Sequence, residues 1–123
     1  MFGLEVTTRR QGDCVVLSLR GELDIQGAPR LAAALAAAVI GDACIVVDLA
    51  DLDFVDCSGL NVLLRALKKA RRAGGQLWLA APQRQALTVL THTGLIAAFP
   101  VAASVDEAVD GTTRSGPVLT GAT

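Results

Sequence analysis

Hydrophobic and polar positions along the chain follow two periods, and their succession predicts the element order β-β-α-β-α-β-α-β-α. Residues 5–9 and 14–21 lie on either side of a turn signal at 11–13, so we expect them to form a hairpin. Residues 43–50 and 76–81 are almost continuously apolar, which is typical of strands covered on both faces. Helices that alternate with such strands indicate an α/β fold, with a mostly parallel sheet and an antiparallel N-terminal edge strand.

Four helices complete this pattern. The first opens within residues 21–42, with Pro29 in its first turn and Gly41 at its end. The second follows Ser58 and is amphipathic, because leucines recur at helical spacing before the stop at Gly74. The remaining segments are a helix at 83–95, a short last strand at 99–104 and a short last helix at 105–111.

A single domain is expected over residues 1–111, because residues 112–123 show no periodicity and are interpreted as a flexible tail. The composition is 52% hydrophobic and 3% aromatic, so aliphatic side chains must build the core. The longest apolar run, residues 31–40, is roughly half of a bilayer span. The N-terminus lacks the pattern of a signal peptide. We therefore expect a soluble, cytoplasmic protein with no membrane partner.

The charge of the chain gives no reason to expect a nucleic-acid partner. It carries 11 basic and 12 acidic residues, a formal net charge of −1, so no general field attracts nucleic acid or anionic lipid. One concentration of cations lies late in the second helix, where it complements the negative end of the helix dipole. It consists of Arg65, Lys68, Lys69, Arg71 and Arg72.

The three cysteines, Cys14, Cys44 and Cys57, show no C-x-x-C spacing. Cys14 and Cys44 lie in apolar runs and are interpreted as small hydrophobic side chains. We therefore expect neither a disulfide framework nor a zinc site, and no cofactor is implied.

Residues suited to catalysis are sparse. His92 is the only histidine and belongs to the third helix, far in sequence from Ser58, whereas nucleophilic hydrolysis needs a base beside its nucleophile. The chain has no P-loop and no G-x-G-x-x-G fingerprint, and it lacks the acidic pair and the lysine of a phospho-aspartate receiver. An enzyme that uses Cys57 or Ser58 as its nucleophile is the remaining alternative. We expect a binding protein and not an enzyme.

Four acids, Asp48, Asp51, Asp53 and Asp56, cluster at the carboxyl end of a buried strand, the edge where open α/β sheets gather functional groups. Magnesium binding is one interpretation, because oxygen ligands suit that ion. The favoured interpretation is a solvated loop whose acids lie near a positive helix end, so no metal site is expected.

Ser58 stands at the start of the second helix, between these acids and the leucine pattern. It can act as the N-cap, with its hydroxyl oxygen accepting a hydrogen bond from the amide of Leu60 or Asn61. It can also be a phosphoacceptor, since helix N-terminal amides could hold the added phosphate. The spacing alone favours the plain cap.

Three segments, GELDIQGAPRL, VVDLADLDFVDCSGLNVLL and QLWLAAP followed by a helix, together resemble the STAS domain of bacterial anti-sigma factor antagonists. The resemblance extends over about residues 4–110 in matching element order. Its most specific part is the D-x-S-G-L motif at residues 56–60. The resemblance implies the STAS fold, a mostly parallel sheet with about four helices.

In that family, the serine before Gly-Leu is phosphorylated by a partner that is both anti-sigma factor and serine kinase, which implies this role for Ser58. Before modification, such a protein binds the anti-sigma factor and releases the sigma factor, which regulates transcription in responses such as stress. Phosphorylation switches the binding off, and a serine phosphatase restores it. The implied partner-binding residues are Asp24, Asp56, Cys57, Gly59, Leu60 and Asn61.

Two alternatives stay open within the resemblance. The chain could be a non-switching STAS scaffold or interaction module of a stress-signalling assembly. Cys57 occupies a position often held by Ser, Thr or Ala, so a redox role is conceivable, although a small side chain is all that the turn requires. A monomer or weak dimer is expected.

Overall fold

The fold was analysed in a computed structural model, which describes residues 3–38 and 44–114. Five strands and four α-helices follow one another in the predicted order. The strands are β1 (Leu4–Gln11), β2 (Cys14–Leu23), β3 (Cys44–Val55), β4 (Gln76–Ala80) and β5 (Val101–Ala102). The helices are α1 (Ala28–Ala38), α2 (Cys57–Arg72), α3 (Arg84–Thr93) and α4 (Val105–Arg114), and a 3-10 turn at Leu95–Ala97 follows α3.

The five strands form one mixed sheet in the order β1-β2-β3-β4-β5. β1 is antiparallel to β2, and every other neighbouring pair is parallel. This arrangement confirms the predicted α/β architecture with its antiparallel N-terminal edge. Because parallel strands share a direction, the carboxyl ends of β2 and β3 lie side by side, and this edge of the sheet carries the candidate site.

Each face of the sheet packs against its own helices, because successive side chains of a strand point to opposite sides. On one face, Leu17 and Ile45 join a large core with the leucines of α1 and α2 and with Leu90 of α3. On the other face, Val16 and Val46 join a smaller core under α4. The sheet is therefore covered on both sides, as the apolar runs of the central strands predicted.

The largest difference from the predicted elements is the length of β3. It continues past residue 50 to Val55, because its outer half still pairs with the end of β2, where Glu22 lies opposite Phe54. Asp51 and Asp53 are therefore exposed residues of a strand, and the interpretation of this segment as a loop is wrong. The pairing shifts register twice along the way, as at a β-bulge.

Other boundaries differ less. β5 has two residues instead of the predicted six, and α4 continues to Arg114, into the segment interpreted as a tail. Thr112 explains the longer helix, because its side chain is buried and its hydroxyl donates to the Val109 carbonyl at 2.7 Å. The predicted helix end at Gly41 and residues 115–123 lie outside the described residues.

Cys14 and Cys44 do not serve only as small hydrophobic side chains. They are direct partners in the pairing of β2 with β3, and their sulfurs are joined in a disulfide. The expectation that these residues would stay unbridged is therefore wrong. The two cysteines are 30 residues apart in sequence, and the register of β2 against β3 brings them together. The spacing of the cysteines in the sequence does not predict this pairing.

This bridge predicts the thiol content of the protein. Purified without reductant, the unfolded chain should react with a thiol reagent at Cys57 alone, and at three cysteines after reduction. Quantitative alkylation followed by mass spectrometry of peptides measures this directly. Three reactive thiols before any reduction, in protein prepared under oxidising conditions, would contradict the pairing.

Candidate functional site

The site begins where β3 ends and α2 starts. Asp56 separates the two elements, and its carboxylate accepts a hydrogen bond from the Gly59 amide at 3.2 Å. Asp56 is therefore the N-cap of α2, and the prediction that Ser58 fills this position is wrong. The Asp56 amide donates to the Leu23 carbonyl at 3.2 Å, which ties the start of α2 to the end of β2.

Ser58 lies in the first turn of α2, where its side chain is half-buried. Within the described part of the chain, its hydroxyl makes no hydrogen bond, since Asp56 already performs the capping. The amides of Cys57 and Ser58 also have no acceptor there, as expected for the first residues of a helix. No buried side-chain polar atom of the described residues lacks a hydrogen-bond partner, so the unbonded Ser58 oxygen is in contact with solvent. Two helix N-terminal donors lie at the same end of α2.

Gly59 allows α2 to begin this close to β2. A Cβ atom at this position would lie 2.8 Å from Leu23 Cδ2 and 3.0 Å from the Leu23 carbonyl oxygen. Leu23 is fully buried and cannot move aside cheaply. The glycine after Ser58 is therefore required by close packing, and it fixes the position of the serine relative to the end of β2.

Asp24 shapes the neighbouring loop between β2 and α1. Its carboxylate accepts hydrogen bonds from the amides of Gln26 and Gly27, both at 3.0 Å. Its carbonyl accepts from the Ala28 amide at 2.9 Å, which opens α1. Asp24 thus orders the turn that precedes α1, and Asp56 caps α2, so both aspartates have a structural role in addition to any role in binding.

Two large apolar side chains lie exposed beside these turns, and the sequence reasoning missed both. Ile25, in the loop after β2, is 72% exposed, and Phe54, near the end of β3, is 40% exposed. Ile25 lies one residue from Asp24, and Phe54 lies two residues from Asp56. Exposed apolar side chains grouped at one edge are typical of contact surfaces. For Ile25, the sequence did offer a signal, because a large apolar residue stands within the otherwise turn-like segment DIQG. We call Ile25, Phe54, Asp56, Cys57 and Ser58 the Ser58 surface.

Gln85 of α3 was also missed, and it holds the end of β3 in place. Its amide group donates to the Val55 carbonyl at 3.0 Å and accepts from the Val55 amide at 2.9 Å. The two bonds satisfy the last backbone groups of the strand, one residue before the cap of α2. No sequence pattern marks this role, because the contact joins residues that are distant along the chain.

The predicted site residues, which are the phosphoacceptor and the partner-binding residues, divide into two groups. Cys57 and Asn61 are exposed, and Ser58, Asp24 and Asp56 are half-buried. The others turn inward: Gly59 packs on Leu23, and Leu60 is 2% exposed within the main core. Gly59, through its lack of a side chain, and the Leu60 side chain therefore serve the packing of the fold, and only the outer group is open to solvent.

The remaining polar candidates are dispersed. Within residues 3–38 and 44–114, no group of three or more acids, histidines or cysteines is arranged to hold a metal ion. Asp48 accepts from the Ser18 hydroxyl at 3.3 Å and from the Ala50 amide at 3.0 Å, so its carboxylate supports the strands. His92 is exposed in the last turn of α3.

None of the helices in the described part of the chain has the length and apolar character needed to cross a bilayer.

Comparison with known proteins agrees with this geometry. Residues 5–108 match the family model described as the STAS domain. The chain is similar to BtrV of Bordetella bronchiseptica, whose name describes it as an anti-sigma factor antagonist. The two are 31% identical over 106 residues, which cover 85% of this chain and 91% of BtrV.

Solved structures share the fold. An anti-sigma factor antagonist from Mycobacterium paratuberculosis superimposes with a TM-score of 0.81 at 25% identity, covering 89% of this chain and 94% of that one. The unphosphorylated form of the anti-sigma factor antagonist SpoIIAA gives a TM-score of 0.73 at 23% identity, covering 86% and 94%. The phosphorylated form of SpoIIAA from Bacillus superimposes with a TM-score of 0.67. The chain belongs to the STAS domain family, among the anti-sigma factor antagonists.

Proposed function

We propose that this protein binds an anti-sigma factor with serine kinase activity through the Ser58 surface and thereby releases a sigma factor. Phosphorylation of Ser58 then ends the binding, and a serine phosphatase renews it. In this cycle the protein is a binding partner and a phosphorylation substrate, not an enzyme. It acts in the cytoplasm, where sigma factors regulate transcription, including the transcription of stress responses.

The observation that carries the proposal is the free hydroxyl of Ser58. A serine near a helix start is often engaged as the cap, but here Asp56 takes that role and Ser58 is the second residue of the helix. The Ser58 hydroxyl has no hydrogen-bond partner among the described residues, and Ser58 directly follows the exposed Cys57 and lies four residues after the exposed Phe54. A kinase can therefore modify it without breaking a contact that holds the fold together.

The same geometry explains how a phosphate would act. A phosphate adds about −1.5 to −2 charges at neutral pH. Asp56, two residues away, and the exposed Asp53 already make this edge acidic. The unoccupied amides of Cys57 and Ser58 could hold the phosphate close to the helix. The modified surface would then present bulk and charge where a partner must pack, and no refolding is needed.

The assignment of Ser58 can be tested with the purified protein, a cognate anti-sigma kinase and ATP. Phosphate should appear on Ser58 alone in peptide mass spectrometry. The Ser58→Ala variant should accept none, while Ser104→Ala, which alters another serine near a helix start, should accept as much as the wild type. The phosphorylated protein should also lose binding to the kinase in a pull-down.

Two outcomes would overturn the proposal. Phosphate on another residue, with Ser58→Ala still modified, would remove the assigned site. Phosphorylation at Ser58 that leaves the affinity for the anti-sigma factor unchanged would instead support the alternative of a non-switching STAS scaffold or interaction module.

A further inference from the structure

A groove lies between α1 and α2, on the face of the sheet that these two helices cover, and it is lined by none of the residues of the Ser58 surface. Its volume is about 370 Å³, which is within the range of protein binding pockets. The apolar lining consists of Ala32, Leu35, Ala36, Val62 and Ala66. The rest of the lining is basic and comes from Arg65, Lys68, Lys69 and Arg72.

The outer face of α1 is unusual for a helix exposed to water. From Leu31 to Ala38 the helix has no charged or polar side chain, and its exposed positions are all alanines. Such a face normally carries polar residues. Alanine side chains also allow the axis of another helix to approach closely. Small apolar residues on this face therefore suit a helix that packs against them.

The cations of the groove are not explained by the helix dipole alone. That effect falls off within the last turn of a helix, whereas Arg65 and Lys68 lie before the last turn of α2. Arg71 is engaged otherwise, since it donates to the Ala98 carbonyl at 3.1 Å. The four cations of the groove have no hydrogen bond or ion pair to any described residue.

No compensating acid is close along either helix. α1 and α2 contain no Asp or Glu, although the whole chain has a net charge of −1. Among the residues that the structure describes, the groove therefore presents positive charge with no acid paired to it, beside an apolar floor. Charge complementarity requires an occupant that is acidic on one side and apolar on the other.

The spacing of the cations distinguishes an elongated occupant from a small one. Arg65, Lys69 and Arg72 succeed one another by about one helical turn and extend over roughly 10 Å along α2. A single anionic head group would need cations that converge on one point. A row of this length matches acidic residues spaced one turn apart on a second helix.

We propose that this groove binds an amphipathic helix of a partner protein. The apolar stripe of that helix would lie on the alanines of α1 and on Val62, and its acidic residues would follow the row of cations, a helix-in-groove mode of recognition. Arg65 lies about 10 Å along α2 from Ser58. The groove is therefore a second docking surface, which can be occupied whatever the state of the serine.

A synthetic pair of peptides tests this proposal on the intact protein. The probe is a fluorescein-labelled peptide of about 18 residues, with leucine and alanine on one helical face and glutamate on the other. Its control carries lysine in place of every glutamate. Fluorescence anisotropy should detect binding of the glutamate peptide only, weakened by added salt. Amide chemical shifts should change along α1 and residues 62–72.

Matched variants then separate the groove from general charge. Removing two cations in Arg65→Gln/Lys69→Gln should weaken peptide binding about fivefold to tenfold. Arg10→Gln/Arg84→Gln removes the same charge from exposed positions of β1 and α3 and should leave the affinity unchanged. Ser58→Asp should also leave it unchanged.

A pair of substitutions on α1 tests the apolar side of the groove. Ala36→Glu places an acid in the groove and should abolish binding of the glutamate peptide. Ala37→Glu alters the next exposed alanine, which does not line the groove, and should have little effect. Circular dichroism should show that both variants remain folded.

Several results would overturn the proposal. They are absence of binding, equal binding of the lysine peptide, equal losses in the matched control variants, and shift changes confined to the Ser58 surface. Binding to phosphatidylglycerol vesicles with no binding of the glutamate peptide would assign the groove to a membrane surface instead.

Discussion

Replacing Ser58 with aspartate is expected to weaken binding of the anti-sigma factor by about 100-fold or more while the protein stays folded. The new carboxylate would lie two residues from Asp56, on the surface where the proposed partner would pack. An uncompensated charge in such an interface costs several kcal/mol, and about 2.7 kcal/mol corresponds to 100-fold in affinity. Isothermal titration calorimetry with the purified anti-sigma factor measures the change.

Two variants accompany this experiment. Ser58→Ala removes a hydroxyl that has no hydrogen bond in the described part of the chain, so its affinity should stay within a few-fold of the wild type. Thr88→Asp adds the same charge at an exposed position of α3 and should bind normally. If Ser58→Asp bound as tightly as Thr88→Asp, local charge could not be the basis of the switch.

Replacing Gly59 with alanine is expected to lower the free energy of unfolding by about 2–3 kcal/mol. The added Cβ would lie 2.8 Å from Leu23 Cδ2 and 3.0 Å from the Leu23 carbonyl oxygen. Neither can yield easily, because the Leu23 side chain is fully buried and its carbonyl accepts the Asp56 amide. Urea unfolding followed by circular dichroism gives the difference in stability.

Gly3→Ala is the matched control for this substitution. A Cβ atom at Gly3 would have no heavy atom within 4 Å, so this variant should keep nearly the wild-type stability. Since the collision at Gly59 acts on the first turn of α2, we also expect Gly59→Ala to weaken binding through the Ser58 surface. Equal stability of the two variants would mean that α2 does not need the close approach to β2.

Much of the fold could be predicted from local patterns. Periodicity alone identified the element order and the parallel sheet, because burial of one helix stripe or of two strand faces imposes its own spacing on the sequence. The position of Ser58 at the start of α2 followed from the leucine spacing after it. The STAS resemblance followed from the residues on either side of that start.

Other features depended on contacts between distant residues. Ser58 and Asp56 are both good caps by type, and Asp56 takes the position, where its amide also donates to the Leu23 carbonyl at the end of the neighbouring strand. β3 extended through its acids because β2 offered backbone partners there. In the same way, strand register joined Cys14 to Cys44.

The sequence by itself determined the order of the helices and strands, which of their faces are apolar, and which serine lies at the start of α2, but not the outer half of β3 or the end of α4. Only the tertiary structure decided that this serine has a free hydroxyl, that Ile25 and Phe54 lie exposed near it, and that α1 and α2 form a groove. The physical reason is the separation along the chain over which each effect acts. Propensity and periodicity act between residues a few positions apart, whereas capping choices, strand register and surface composition depend on what the fold brings alongside.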